Sequence, residues 1–199
     1  MRRETEMKRG DIPGEKRHHR KGKFTEGLLD NERILQALDI EPGQTILDAG
    51  CGTGYMSKLF SKEVTKSGKV YALDPDKYFV RVLKNETQGT NIETVEGDIT
   101  RPTRLKESSL DLIYLSTVIH IFSKQQMQGF LQEVKRLLKP GALLAIVEME
   151  KKETPFGPPL ESRYSPEDLI KIIPMAPVNT VPVGEHFYMQ IFQNMEDFG

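Results

Sequence analysis

Short apolar runs alternate with amphipathic segments along most of the chain. Five of these runs have strand length, and they cover residues 45–50, 67–74, 91–98, 109–117 and 142–150. Strands that are buried on both faces form nearly continuous apolar runs. The five segments therefore predict parallel strands in the interior of a sheet.

The segments between these runs carry apolar residues at helical spacing. The clearest helix is predicted after Ser123, a capping residue, and is expected to stop at Pro140-Gly141. Its apolar face is formed by Phe130, Leu131, Val134, Leu137 and Leu138. Further helices are predicted over residues 28–40, 55–63 and 75–85, and the last of these opens with Pro-Asp, a helix-start signal.

The alternation of apolar runs and amphipathic segments ends after Met149. A proline-rich connection leads to a predicted helix with Ser165 as its cap and Pro166 at its first position. Residues 179–183 and 186–192 predict two short strands, which we expect to form an antiparallel hairpin at a sheet edge. The whole pattern predicts an α/β fold with a doubly wound, mostly parallel seven-stranded sheet and this C-terminal hairpin.

Length and composition fit one globular domain. The chain has 199 residues, of which 37% are hydrophobic and 29% are charged. No run approaches the ~18 apolar residues of a membrane span, and the N-terminus lacks an apolar signal-peptide core. Because Cys51 is the single cysteine, no intrachain disulfide is expected, and a cytoplasmic location is predicted.

Charge is unevenly distributed along the chain. Residues 1–23 hold nine Lys or Arg against four Asp or Glu, whereas the other 176 residues hold 19 against 25. The basic segment predicts a flexible N-terminal arm, with contact to a polyanion or closure over an active site as alternatives. Residues 24–199 are predicted to form a single domain, whose acidic charge argues against a nucleic-acid-binding body.

Three alternating glycines, Gly50, Gly52 and Gly54, join the first predicted strand to a helix in the stretch "ILDAGCGTGYMS". Glycine permits positive φ and lets the backbone approach a ligand closely. In open α/β sheets, ligands bind beyond the carboxyl end of such a strand, where a helix N-terminus also offers N–H groups. Three glycines are entropically costly unless something docks there, so the stretch predicts a bound molecule.

The spacing of these glycines distinguishes this stretch from other nucleotide-binding motifs. A dinucleotide fingerprint, G-x-G-x-x-G, would need glycine where Tyr55 stands, and no Gly-Lys-Ser/Thr of a P-loop follows. With Asp48, the pattern is D-x-G-x-G-x-G. It resembles motif I of the class I S-adenosylmethionine (SAM) dependent methyltransferases. The strings "VEGDI", "LDLIYLSTVIH" and "VKRLLKPGALL" agree, and the resemblance to this Rossmann-like family covers about residues 28–195. The strings "HHRKGKF", "IH" at 119–120, "KKETPFGPPLESRYSPEDL" and "GEHFYMQIF" look like those of its small type 11, UbiE-like members.

The resemblance implies which residues bind SAM. Asp74 would accept hydrogen bonds from both ribose hydroxyls, and Asp98 would accept one from the adenine amino group. Residues at the end of the fourth strand would lie beside the methionine part. The cofactor-binding candidates are Asp48, Gly50, Cys51, Gly52, Gly54, Tyr55, Asp74, Pro75, Asp98, Ile99, Ser116 and Thr117.

Several candidates also have a structural alternative. Asp48 would fix the glycine turn, Cys51 would be a small packed residue, and Tyr55 would only start a helix. His120 and His186 are candidate general bases, with ordinary structural histidines as the alternative. No H-x₃-H or H-x-E spacing supports a metal site, so none is expected.

The resemblance implies an enzyme that transfers the SAM methyl group by in-line SN2 displacement and releases S-adenosyl-L-homocysteine (SAH). A lone cysteine argues against an arsenite acceptor, and "STVIHIF" lacks the motif of DNA amino-methyltransferases. A small-molecule acceptor is predicted, with protein or nucleic-acid substrates as alternatives, in a monomer or homodimer. The competing functions are a non-catalytic SAM-fold subunit and an NAD(P)-dependent oxidoreductase.

Overall fold

Seven strands form one sheet through the middle of the protein, in a computed structural model that describes residues 26–195. The strands are β1 (Thr45–Ala49), β2 (Lys69–Asp74), β3 (Ile92–Glu96), β4 (Leu110–Ser116), β5 (Leu138–Met149), β6 (Ala176–Gly184) and β7 (Phe187–Gln193). Their order across the sheet is β3-β2-β1-β4-β5-β7-β6. The first five strands are parallel, and β7 pairs antiparallel with both β5 and β6. The predicted fold class is thus confirmed.

Five α-helices flank the strands in the described part of the chain. They are α1 (Asn31–Leu38), α2 (Tyr55–Glu63), α3 (Lys77–Glu86), α4 (Lys124–Leu137) and α5 (Pro166–Ile172). All but α2 begin at a side chain that caps the helix. Ser123 and Ser165 each form a capping box, in which the serine accepts from the backbone of the third helical residue. The first helix begins three residues later than predicted because Asp30 is its cap.

Each face of the sheet carries its own hydrophobic core. Alternate residues of β4 point to opposite faces, as the pleat requires. Leu112 and Tyr114 pack with α1 and α2, whereas Ile113 and Leu115 pack with α4 and α5. Helices therefore cover both faces, and the central strands are buried on both sides.

The predicted boundary between the fourth helix and the fifth strand is wrong. The fourth helix ends at Leu137, and β5 begins at Leu138 rather than at residue 142. Leu138 pairs with Leu110 before the register shifts, so Pro140-Gly141 lies within an irregular strand start instead of ending the helix. The C-terminal hairpin lies at a sheet edge as predicted, with β7 beside β5 and with β6, which holds Pro182, as its outer strand.

Residues 1–25 and 196–199 lie outside the described part of the chain, so the predicted N-terminal arm over 1–23 stays a prediction. Within residues 26–195, no helix is long and apolar enough to cross a membrane.

Candidate functional site

A cavity lies at the carboxyl ends of β1 and β4, which are neighbours in the sheet. The chain order reverses between these strands, and such switch points are the usual ligand sites of doubly wound sheets. We refer to this space as the glycine-turn cavity. It is lined by Glu26, Leu29, Asn31, Asp48, Gly50, Cys51, Gly52, Thr53, Tyr55, Met56, Tyr114, Ser116, Thr117 and Val118.

All three glycines of the turn adopt positive φ, at 77° for Gly50, 51° for Gly52 and 73° for Gly54. A Cβ atom on Gly50 would lie 2.9 Å from Cγ2 of Val118, and one on Gly54 would lie 2.4 Å from Cδ1 of Leu83. Neighbouring side chains thus exclude larger residues at these two positions. This is a reason for glycine that does not depend on a ligand.

Asp74, at the end of β2, holds the turn in place. Its Oδ2 accepts from the N–H of Gly52 at 2.9 Å, and its Oδ1 accepts from the N–H of Asp76 at 2.8 Å. The N–H groups of Gly50 and Cys51 both donate to the carbonyl of Leu73. Burial raises the pKa of the Asp74 carboxyl. Each of its oxygens retains a lone pair for a further donor.

Asp48 is the deepest charged group of the cavity, with an exposed fraction of 3%. The hydroxyl of Ser57 donates to its Oδ2 at 2.5 Å. Burial raises the pKa of Asp48 to about 6.

Two buried hydroxyls lie on the same side of the sheet as Asp48. Tyr114 is its direct neighbour on β4, and Ser116 follows two residues later on the same face. The hydroxyl oxygens of Tyr114 and Ser116 are both buried, and apart from their contact with each other neither has a hydrogen-bond partner among residues 26–195.

The other candidates near the turn have defined structural roles as well. Tyr55 begins α2, lines the cavity, and accepts a hydrogen bond from Nδ2 of Asn31 at 3.0 Å. Cys51 is buried, and burial raises the pKa of its thiol. Thr117 has a left-handed φ of 54°, and its N–H donates to the carbonyl of Val147.

Gly54 and Asp74 do not line the glycine-turn cavity, and neither do the candidates that follow β2 and β3. Asp98 accepts from the N–H and hydroxyl of Thr100 through Oδ1, at 2.9 and 2.8 Å. Ile99 is 4% exposed and packs in the core, while Pro75 is exposed.

A second cavity opens beyond the segment that follows β4. Its lining includes His120, Phe122, Lys151, Arg163, Tyr164 and Asp168. His120 lies in a 3₁₀ turn, Ile119–Ile121, and its Nδ1 is 3.0 Å from Oε2 of Glu148. Glu148 is fully buried on β5.

His186 lies between β6 and β7 and lines neither cavity. Its ring packs edge-on against Phe156 at 5.6 Å, and its Nδ1 is buried without a partner in the described part of the chain. No group of three or more His, Cys, Asp or Glu residues that could hold a metal ion occurs within residues 26–195.

Tyr114 and Arg163, which line the two cavities, were missed by sequence reasoning as site residues. Tyr114 is a polar residue inside an apolar strand, which is the signal that marks it. Arg163 gave no signal. It is 6% exposed and donates to the carbonyls of Pro158, Glu150, Lys152 and Phe156.

Comparison with known proteins gives consistent matches. The family model of a methyltransferase domain matches residues 46–141. The chain is 33% identical over 131 residues to the ubiquinone/menaquinone biosynthesis C-methyltransferase UbiE of Hydrogenovibrio crunogenus, covering 64% of this chain and 51% of that protein. It is 30% identical over 128 residues to an uncharacterised methyltransferase of Synechocystis sp., covering 63% and 57%. The chain thus spans about half the length of these curated relatives.

Among solved structures, a SAM-dependent methyltransferase from Aquifex aeolicus has the same fold. It matches with a TM-score of 0.77 and 29% identity, over 86% of this chain and 93% of that one. The strand order and the glycine turn define a Rossmann-like nucleoside-binding domain. The chain is similar in sequence to class I SAM-dependent methyltransferases and shares their fold, and SAM is the cofactor of that family.

Proposed function

We propose that this protein binds SAM in the glycine-turn cavity and transfers its methyl group to a small-molecule acceptor. The pair of buried hydroxyls of Tyr114 and Ser116, which have no described partner beyond each other and lie close to Asp48, carries the proposal. Buried polar groups are normally hydrogen-bonded, so hydroxyls in a cavity lining with no other partner indicate a ligand with matching polar atoms. The ammonium and carboxylate of the methionine part of SAM are such groups, and an ammonium complements the carboxylate of Asp48.

The remaining polar groups fit the nucleoside part of SAM. Both Asp74 oxygens hold the turn through N–H groups and keep lone pairs that ribose hydroxyls would use. Asp98 uses Oδ1 for Thr100, which leaves Oδ2 for the adenine amino group. A carboxylate at residue 74 would also repel a 2′-phosphate, which disfavours NADP in the same place.

SAM, when bound, supplies a methyl group that its sulfonium has already activated. The chain then needs to hold the acceptor in line with that methyl group and to exclude water, which can supply much of the rate enhancement. This requirement explains why the recognisable residues concern the cofactor and few of them concern the acceptor.

A small acceptor is favoured by the names of the relatives. The Hydrogenovibrio protein is named as a C-methyltransferase of ubiquinone and menaquinone biosynthesis. A protein of Staphylococcus aureus, 26% identical over 145 residues, is named demethylmenaquinone methyltransferase. Both names describe small-molecule chemistry, and we extend only that class to this chain.

Isothermal titration calorimetry of the full chain with SAH, SAM and NAD⁺ tests the cofactor. We expect SAH and SAM to bind and NAD⁺ not to bind. Asp74→Asn should weaken SAH binding about tenfold or more, because a hydrogen bond to a charged group contributes about 1.5–3 kcal/mol. Asp76→Asn is the matched control, since asparagine caps α3 as well as aspartate does, and its SAH affinity should equal that of the wild type.

Failure of SAH to bind, or equal binding of NAD⁺, would contradict the cofactor assignment. Release of SAH from SAM in the presence of small acceptors tests the transfer itself. Tight SAM binding without transfer to small acceptors would favour the non-catalytic subunit instead.

A further inference from the structure

The two cavities share the segment that follows β4. Residues 116, 117 and 118 line the glycine-turn cavity, and residues 120 and 122 line the second cavity. A molecule in the second cavity would therefore lie directly beyond the residues that flank the methionine end of the first. In-line methyl transfer requires an acceptor site in this relation to the cofactor.

The His120 ring is held by one edge. Its Nδ1 is 3.0 and 3.2 Å from the two oxygens of Glu148. An ionised carboxylate can only accept hydrogen bonds, so Nδ1 carries the proton that Glu148 accepts, and Nε2 keeps its lone pair. Nε2 makes no hydrogen bond to any residue of the described chain. The side chain is 15% exposed, and because Glu148 is fully buried, the edge bearing Nε2 is the one left for the cavity.

We infer that the second cavity receives the methyl acceptor and that His120, oriented by Glu148, is its general base. The inference rests on the proposed function. The acceptor is a molecule with an O–H or N–H nucleophile. As its heteroatom bonds to the methyl carbon, the carbon–sulfur bond breaks with its electron pair left on sulfur, and the acceptor proton passes to Nε2. The imidazolium then releases that proton to solvent.

The rest of the lining combines aromatic and charged groups. Phe122 and Tyr164 offer aromatic surface, and Glu161 and Lys171 also line the cavity. Two other cations of the lining are already engaged, since Lys151 pairs with Asp168 at 2.7 Å and Arg163 donates to backbone carbonyls. His120 differs from Glu161 in having a buried partner, Glu148, that orients its ring.

A purely structural role for the pair is the competing explanation, because a fully buried carboxylate needs a partner. Measurement of the His120 tautomer distinguishes the catalytic role from the purely structural role. The full chain with ¹⁵N-labelled histidine is examined by long-range ¹H–¹⁵N NMR at pH 7.5, with His120 assigned through His120→Gln. We expect Nδ1 protonated and Nε2 unprotonated, and a mixture of tautomers in Glu148→Gln. A protonated Nε2 in the wild type would overturn the inference.

Kinetics test the chemical role. SAH release is measured with 4-methylphenol and with the more acidic 4-nitrophenol as probes. His120→Gln should lower kcat for 4-methylphenol about 100-fold or more while leaving SAH affinity unchanged. The loss should shrink for 4-nitrophenol, which is already largely ionised in solution at pH 8. A role confined to folding would lower both rates equally.

Glu148→Gln should show the same dependence on acceptor acidity with a smaller loss, as a positioning residue would. Glu93→Gln makes the same chemical change in the exposed pair with Lys69 on β3 and should have no effect. Equal losses with both phenols, or no turnover of either phenol by the wild type, would overturn the inference. SAH binding by calorimetry would still stand in that case, so failure here is distinct from failure of the cofactor assignment.

Discussion

Asp48→Asn should stabilise the protein without ligand and weaken its binding of SAM. The Asp48 carboxyl is nearly fully buried and has a single described side-chain partner, the Ser57 hydroxyl. Burial of an ionised carboxylate is unfavourable, and its pKa is accordingly raised from 3.8 to about 6. Asparagine keeps an acceptor for Ser57 and carries no charge, so it removes this cost.

The size and sign of the effect follow from proton linkage. Between about pH 4 and pH 6, the folded state binds more protons at Asp48 than the unfolded state does, so stability falls as the pH rises through this window. One pKa unit corresponds to about 1.4 kcal/mol, and the full difference is about 3 kcal/mol above pH 6. Below pH 4 the carboxyl is protonated in both states and contributes nothing. The free energy of unfolding of Asp48→Asn should therefore equal that of the wild type at low pH and exceed it by up to about 3 kcal/mol at pH 8.

Urea denaturation from pH 4 to pH 8 measures the difference in free energy of unfolding between Asp48→Asn and the wild type. The contributions of all other titratable groups cancel in this difference, because both proteins contain them. The control is Asp39→Asn, an exposed left-handed cap where asparagine is well tolerated, and its difference from wild type should be small and flat with pH. Calorimetry should show weaker SAH binding by Asp48→Asn. A pH-independent difference for Asp48→Asn, or a variant less stable than wild type at pH 8, would refute the reasoning.

Two further predictions concern stability. Gly54→Ala should lower the free energy of unfolding by about 2–5 kcal/mol, measured by thermal or urea denaturation, because left-handed backbone strain adds to overlap with Leu83. Gly43→Ala is the control and should cost only about 1–2 kcal/mol, because Gly43 has a φ of 92° but no close neighbour. Equal losses of stability in the two variants would show that packing is irrelevant at residue 54. Glu133→Gln should cost about 2–3 kcal/mol at pH 7, because it breaks a largely buried pair with Arg136. Burial opposes ionisation of Glu133, but the hydrogen bonds it accepts hold its pKa below the usual range, so the difference from wild type should narrow as the pH falls below about 4; a constant difference would count against the ion pair.

The sheet was predictable because its signals are local. Continuous apolar runs mark strands buried on both faces, and Ser123 and Ser165 mark helix starts by capping chemistry that operates within one turn. The misjudged start of β5 depends on distant pairing. Leu138 belongs to β5 because it pairs with Leu110 on the neighbouring strand.

The same distinction between local and distant signals applies to the residues of the site. Residues 48–55 and Asp74 are recognisable because a short motif fixes their spacing along one strand and turn. The pair of His120 and Glu148 is separated by 28 residues and forms only when β5 aligns beside β4. A glutamate within an apolar strand indicates a buried partner, but no spacing rule identifies which residue provides it.

The glycine pattern is weaker evidence for a bound ligand than the sequence alone suggests. Gly50 and Gly54 are required by positive φ and by the side chains of Val118 and Leu83, so the protein itself would select glycine there even without a ligand. Because the loop carries no side chains, the buried hydroxyls of Tyr114 and Ser116 and the buried carboxylate of Asp48 can still line the cavity behind it. Outside this group of three, their described hydrogen-bond partner is Ser57, and burial of polar groups with so few partners costs stability. The polar groups behind the turn, rather than the glycines, are therefore the stronger physical reason to expect a charged ligand at this edge of the sheet.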